Sequence, residues 1–146
     1  MNREFVKEEG HWLRKFAPRE WISAALGELS RAEKAYGERN ARAGLAGARR
    51  AAGMGLNARL VAEPNEAYGR SYVDHLRALV RDGDVPEAVR GAAQFLMEEP
   101  EPSKEIVVLQ TRSHDRRVIE AARDVIAHAY AMAVRNGAIT SIEEKK

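Results

Sequence analysis

Cysteine is absent from this chain of 146 residues, and its absence excludes disulfide bridges, thiolate catalysis and cysteine-ligated zinc sites. Long apolar runs are also missing: charged residues interrupt every window of 18 residues, so no transmembrane span is predicted. The first ten residues, MNREFVKEEG, lack the apolar region of a secretory signal. We therefore expect a cytoplasmic protein with no membrane partner.

A strong excess of one charge is lacking as well. The formal net charge is +2, from 24 basic and 22 acidic residues. This balance is far from that of a protein that coats nucleic acid non-specifically, so any such contact must come from a local patch. Arginine supplies 18 of the 24 basic residues. Either the codon usage of a GC-rich genome or phosphate recognition by guanidinium groups accounts for that bias.

Metal and cofactor motifs are not recognisable in the sequence. The four histidines lack the His–His or Glu–His spacing that is typical of zinc sites, so we predict no metal and no cofactor. The segment 53–58, GMGLNA, has the spacing of a dinucleotide fingerprint, but that fingerprint requires a preceding strand. Asp124 lies four residues before His128 on the same helical face. The two side chains could share a metal ion, but a hydrogen bond between them is the simpler interpretation.

Apolar residues recur at helical spacing along most of the chain. The periodicity predicts helices over residues 19–36, 41–62, 86–97 and 114–136, with a short helix after Ser71. We predict a single all-α domain, an up-down helical bundle of four to six helices over residues 18–137. Residues 1–17 form an N-terminal extension in this prediction, and residues 138–146 form a flexible tail. The apolar run 106–109 is expected to be an extended packed segment or a helical lead-in.

Four glycines, Gly44, Gly47, Gly53 and Gly55, fall inside the second predicted helix. Each costs about 0.8–1 kcal/mol relative to alanine in a helix interior. We expect the close approach of a neighbouring helix to offset this cost.

The last predicted helix carries a short motif. Arg123 precedes His128 by five residues, Asp124 follows the arginine, and Tyr130 lies two residues beyond the histidine. Together with the alanine-rich segment 48–60 and the segment 72–79, this motif resembles the HEPN family of helical-bundle proteins, many of which are ribonucleases. The resemblance spans roughly residues 20–136. Arg70 and His75 have the same spacing as Arg123 and His128, but not the acidic neighbour, the tyrosine or the long helix.

The resemblance implies a HEPN-like bundle and a metal-independent endoribonuclease of the toxin or defence type, acting as a homodimer on RNA. It implies that Arg123, His128 and Asp124 are catalytic, and that Tyr130 is a target for nucleotidylation by a nucleotidyltransferase antitoxin. Arg116 and Arg117, on the same predicted helix, are our candidates for substrate binding.

The chemistry of these residue types agrees with that role. Cleavage of RNA by its own 2′-hydroxyl group needs an acid, a base and positive charge at the phosphate. Histidine, with a reference pKa near 6.5, serves as acid or base, and arginine binds phosphate in a fork. Asp124, one turn before His128, is placed to orient the imidazole. Five helical residues separate Arg123 and His128 by about 140°, so we expect two copies of the helix to complete one site.

An alternative hypothesis is a non-catalytic helical module that binds a partner protein, such as a nucleotidyltransferase, or a small ligand. In that case Arg123 pairs with Glu120 or Asp124, His128 is packed against Asp124, and Tyr130 belongs to the core or to an interface. A ribonuclease needs Arg123 and His128 accessible in a basic groove, whereas a binding module buries or covers them. Arg49 and Arg50 are expected on the surface, with an accessory phosphate role as the other hypothesis.

Overall fold

A computed structural model of the chain describes residues 12–100, 112–137 and 139. Within these ranges the protein is all-helical, with no strand, which confirms the predicted all-α class. The five α-helices are α1 (Pro18–Gly37), α2 (Ala41–Ala62), α3 (Tyr72–Arg81), α4 (Glu87–Glu98) and α5 (Arg112–Arg135). Two 3-10 turns cover Trp12–Lys15 and Glu66–Tyr68. The predicted packed segment 106–109 lies outside the described residues.

Local hydrogen bonds fix the beginnings of three helices. Pro18 occupies the first turn of α1, and the Glu20 carboxylate accepts the Ala17 N–H at 2.8 Å. The Asn40 side chain accepts the Ala43 N–H at 3.2 Å and caps α2, as its sequence position predicts. Ser71 caps α3 in the same way, with its hydroxyl oxygen 3.0 Å from the Asp74 nitrogen.

Helix α2 forms the centre of the bundle, and its glycines allow close packing. A β-carbon added to Gly47 would lie 3.0 Å from Cβ of Ala32 on α1. One added to Gly55 would lie 3.2 Å from Cα of Ile126 on α5. These distances confirm that neighbouring helices approach the glycine positions, which offsets the intrinsic cost of glycine in a helix.

The core extends beyond the predicted bundle at both ends. Leu13 and Ile139 are 0% and 3% exposed and join the same apolar cluster as the five helices. The Trp21 indole N–H donates to the Leu13 carbonyl oxygen at 2.8 Å. None of the helices in the described ranges is long and apolar enough to cross a bilayer.

Two arginines of α2 stabilise the packing of neighbouring helices. Arg49 donates to the carbonyl oxygens of Leu96 at 2.8 Å and Glu99 at 2.7 Å, with a longer bond to that of Met97 at 3.4 Å. It thereby satisfies carbonyl groups at the C-terminal end of α4, which have no partner inside the helix. Arg50 donates to Glu28 of α1 at 2.6 Å. Both guanidinium groups therefore have partners within the fold.

Candidate functional site

The outer face of α5 presents the candidate residues with the highest exposure. Its exposed side chains are Arg116, Arg117, Glu120, Arg123, Asp124, Ala127, Ala131 and Arg135. The predicted substrate-binding arginines therefore share one face with two of the predicted catalytic residues. The Arg117 guanidinium carbon lies 4.8 Å from the centre of the Phe95 ring of α4, a cation–π contact that orients this side chain.

Arg123 is turned toward α1 and away from His128. Its Nη2 atom lies 3.8 Å from Oε1 of Glu33, and the two side chains are 51% and 55% exposed. The partner is thus neither Glu120 nor Asp124, the two acidic residues that local spacing suggested. Exposed ion pairs of this kind contribute only about 0–1 kcal/mol, so a phosphate group can readily compete for the guanidinium.

His128 lies at the opposite edge of the face and is half-buried. Its Nε2 atom is buried and has no hydrogen-bond partner among the described residues. Burial lowers the pKa of His128, the charge of Arg59 lowers it further, and Asp82 raises it in part. The imidazole is therefore neutral at pH 7, the state in which a histidine accepts a proton.

Asp124 is not placed to orient His128. Its side chain is exposed, and no hydrogen bond joins it to the imidazole in the part of the chain that the structure describes. The carboxylate that acts electrostatically on His128 belongs to Asp82, in the turn between α3 and α4. Within one protomer, the structure therefore brings together neither Arg123 and His128 nor Asp124 and His128.

Tyr130 is half-buried and packs against the hydrophobic core. Its position seven residues after Arg123 places it on the same edge of α5 as that arginine, since seven helical steps make nearly two full turns. The Tyr130 side chain therefore packs against the core and also borders the exposed face of α5.

A polar network that the sequence did not predict lies between α2 and the α3–α4 turn. Nη1 of Arg59 donates to the Tyr68 hydroxyl oxygen at 3.2 Å, and that hydroxyl donates to Oδ2 of Asp82 at 2.7 Å. Burial and the bond to Asp82 raise the pKa of Tyr68, so the hydroxyl keeps its proton. Arg59, 9% exposed, also lies 3.7 Å from Glu63 through Nε. The sequence offered no distinct signal for Arg59, because α2 carries three further arginines, Arg42, Arg49 and Arg50.

An open groove of about 900 Å³ borders this network. Arg59, Tyr68 and Asp82 line it together with Arg77 and Arg81 of α3. Four carboxylates (Glu63, Asp74, Asp82 and Asp84) line the same groove, so it is not a basic channel. The exposed arginines of α5 are therefore better placed than this groove to attract a polyanion.

His75, the other histidine preceded by an arginine at the same spacing, is a core residue. It is 0% exposed, with Nδ1 2.7 Å from the Tyr68 carbonyl oxygen and Nε2 2.8 Å from Oδ1 of Asn57. Both ring nitrogens are thus engaged inside the fold. His75 is consequently no candidate for contact with a substrate.

Comparison with known proteins does not identify a family or a function for this chain. No protein-family model, no curated protein and no solved structure matches the chain. Among the described residues, no group of three or more histidine, aspartate or glutamate side chains is arranged to hold a metal ion.

Proposed function

We propose that the protein is a metal-independent endoribonuclease of the toxin or defence type, with a HEPN-like fold, whose site is completed by a second copy of the chain. The observation that carries this proposal is the exposed face of α5, where Arg116, Arg117 and Arg123 are exposed and the neutral, half-buried His128 lies at the edge opposite Arg123. The resemblance of residues 123–130 to the HEPN motif supports the same reaction class.

The proposed reaction needs only the protein, the RNA and water. Neutral His128 accepts the proton of a ribose 2′-hydroxyl group, whose oxygen then forms a bond to the adjacent phosphorus. The bond from phosphorus to the 5′-oxygen breaks, that oxygen takes a proton from a water molecule, and the proton held by His128 neutralises the hydroxide that is left. Arg123 stabilises the negative charge that develops on the phosphate oxygens. The products are a 2′,3′-cyclic phosphate and a 5′-hydroxyl end.

The geometry of one helix supports a site shared with a second copy. Arg123 and His128 lie at opposite edges of the α5 face, about 140° apart, and Arg123 is paired with Glu33 of α1. A two-fold axis beside this face allows an arginine of one copy to serve a histidine of the other. Ala127 and Ala131 between the two edges leave room for the approach of a second helix.

Cleavage assays test the proposal directly. We expect the purified protein to cut RNA in EDTA and to leave cyclic phosphate ends, and His128→Ala and Arg123→Ala to abolish cutting. Arg77→Ala is the matched control, because Arg77 is also an exposed arginine with an acidic partner, Asp74 at 3.3 Å. Equal activity of wild type and His128→Ala would exclude His128 from the mechanism.

Mixing the two inactive variants tests whether the site is shared. In a heterodimer of Arg123→Ala and His128→Ala chains, the remaining arginine and histidine lie on different copies. A site built across the interface therefore regains cleavage, whereas a site built within one copy stays inactive. Sedimentation at the assay concentration must show a dimer; a monomeric wild type that cleaves RNA would contradict the shared site.

A non-catalytic binding module is the second candidate, and the covered Nε2 atom of His128 favours it. In this case we expect α5 to bind a partner such as a nucleotidyltransferase, and we expect no cleavage of RNA by the wild type. Intact-mass measurement of protein from its native host, compared with Tyr130→Phe, checks whether Tyr130 carries an added nucleotide. A nucleotide that persists in Tyr130→Phe would exclude that residue as the target.

A further inference from the structure

Arg117 is supported by the ring of Phe95 where α5 packs beside α4. The guanidinium carbon lies 4.8 Å from the centre of that ring. Phe95 is half-buried and packs against the hydrophobic core, so the ring is a fixed support for an exposed side chain. A cation–π contact uses the charge of the guanidinium but requires none of its N–H donors. The donors of Arg117 therefore remain available to a ligand.

The charge of Arg117 has no acidic partner in the part of the chain that the structure describes. The carboxylate just after α4 is engaged by a different group, since Oε2 of Glu99 lies 2.7 Å from Nε2 of His114 and the Glu99 side chain is only 12% exposed. Arg123, by contrast, lies 3.8 Å from Glu33. An anion can therefore bind Arg117 without displacing a carboxylate, as it would have to do at Arg123.

Arg117 and His128 lie on the same edge of α5. They are 11 residues apart, and at about 100° per residue these steps make three full turns and about 20° more. At a rise of about 1.5 Å per residue, the two positions are about 16 Å apart along the helix axis. A stacked nucleic-acid strand advances about 3.4 Å per nucleotide, so about five nucleotides cover this distance.

We infer that Arg117, on its Phe95 support, is a phosphate-binding subsite for single-stranded RNA that reaches His128 along this edge of α5. The guanidinium N–H groups bind a phosphate, and unpaired bases stack readily on guanidinium planes, which is why a single strand fits better than a duplex. The identity of the ligand rests on the proposed ribonuclease function. Asp124 lies between the two positions and is exposed, so its carboxylate opposes the bound strand.

Binding of an oligonucleotide that cannot be cleaved tests the subsite without an activity assay. The probe is a labelled single-stranded decanucleotide with 2′-O-methyl groups, which lacks the attacking hydroxyl, and fluorescence anisotropy measures its affinity over a range of salt concentrations. We expect Arg117→Met to weaken binding and to reduce the slope of log K against log salt by about 0.7, the value for one lost phosphate contact. Phe95→Leu should leave the slope unchanged, since the charge remains. It should weaken binding about two- to tenfold, because an unsupported side chain must be ordered on binding.

Two further variants locate the strand. Asp124→Asn should strengthen binding, because a repulsive charge beside the strand is removed. Arg77→Met is the matched control, since it removes an exposed arginine of α3, and it should leave the affinity unchanged. An unchanged affinity in Asp124→Asn would contradict a strand that follows this edge of α5.

Folding, binding and cleavage are kept apart in this design. Circular dichroism verifies that each variant is folded, and if Phe95→Leu does not fold, Arg117→Met at its exposed position still decides. Wild-type affinity and slope in Arg117→Met would overturn the inference, and so would a wild type that does not bind the probe. Unchanged affinity in a folded Phe95→Leu would overturn the role of the ring. A wild type that binds the probe through Arg117 but does not cleave RNA contradicts the ribonuclease proposal and leaves the subsite in force.

Discussion

Gly55 of α2 packs closely against Ile126 of α5, which fills the space that a side chain at position 55 would need. A β-carbon at position 55 would lie 3.0 Å from Cγ1 and 3.2 Å from Cα of Ile126. Ile126 is two residues before His128, so this contact determines how closely the candidate site approaches α2. A larger residue at position 55 must displace α5, because the nearest atoms include backbone.

Gly55→Val should therefore destabilise the protein. We expect the free energy of unfolding to fall by about 1–3 kcal/mol, the usual cost of overpacking a core. Gly91→Val is the control, because nothing lies within 4 Å of a β-carbon at Gly91 on α4. That substitution should change the stability by no more than about 0.5 kcal/mol. Denaturant unfolding measures both, and equal stabilities would contradict the contact.

Arg49→Met should release the end of α4. The substitution keeps much of the apolar stem but removes the donors to the carbonyl oxygens of Leu96, Met97 and Glu99. Because hydrogen bonds from charged groups contribute about 1.5–3 kcal/mol, we expect a loss of that order in unfolding free energy. Arg116→Met, at an exposed position on α5, should be nearly neutral. Hydrogen exchange should show faster exchange of the α4 amides in Arg49→Met. Equally faster exchange in all helices would contradict a local role of Arg49 at the end of α4.

Stability should fall as the solution becomes mildly acidic. Burial lowers the pKa of both His75 and His128 below the ordinary histidine value of about 6.5. The unfolded chain then binds more protons than the folded one below about pH 6.5, so the free energy of unfolding decreases as the pH falls through that region. The slope is at most about 1.4 kcal/mol per pH unit for each proton.

Urea unfolding at pH 7.5 and pH 5.5 measures this effect before the carboxylates titrate. Wild type should have the lower midpoint at pH 5.5, and His128→Gln should show a smaller difference between the two pH values, since one of the two groups is removed. An identical dependence in wild type and His128→Gln would show that His128 has the same pKa in the folded and unfolded chains.

Glu33→Gln should strengthen RNA binding by releasing Arg123 from its ion pair. Stability should change by less than about 1 kcal/mol, because the pair is exposed. Fluorescence anisotropy with a labelled single-stranded RNA measures the affinity over a range of salt concentrations. Replacing Arg123 by alanine should reduce the slope of log K against log salt by about 0.7, the value for one lost phosphate contact. If Arg123→Ala changes neither the affinity nor the salt slope, Arg123 does not contact the RNA.

Local patterns predicted the helices well, but not the environment of the site. The bounds of α2 were predicted to the residue, since Asn40 caps its start and Pro64 follows its end. The described part of α5 includes Arg112 and Ser113, which precede the predicted start at residue 114. The partner of Arg123 was not predictable, because Glu33 is distant in sequence and reaches Arg123 only after α1 packs beside α5.

The charged residues that act on His128 were not predictable either, because they are distant from it in sequence. Asp82 and His128 are separated by 46 residues, and the segment 82–84 was readable only as a turn. Spacing on one helix pointed to Asp124 instead, because helical periodicity shows which residues share a face but not what that face meets. The HEPN-like arrangement and the ribonuclease function remain predictions from the motif.

Tyr68 connects a buried histidine to the polar network that borders the groove. Its backbone carbonyl oxygen lies 2.7 Å from the imidazole of fully buried His75, while its hydroxyl group bridges Arg59 and Asp82. A substitution deep in the interior that shifts His75 thus acts, through one aromatic residue, on the Arg59 and Asp82 side chains. Variants selected only for greater thermal resistance near His75 will therefore also act on the ion pair of Arg59 and Asp82 that lines the groove.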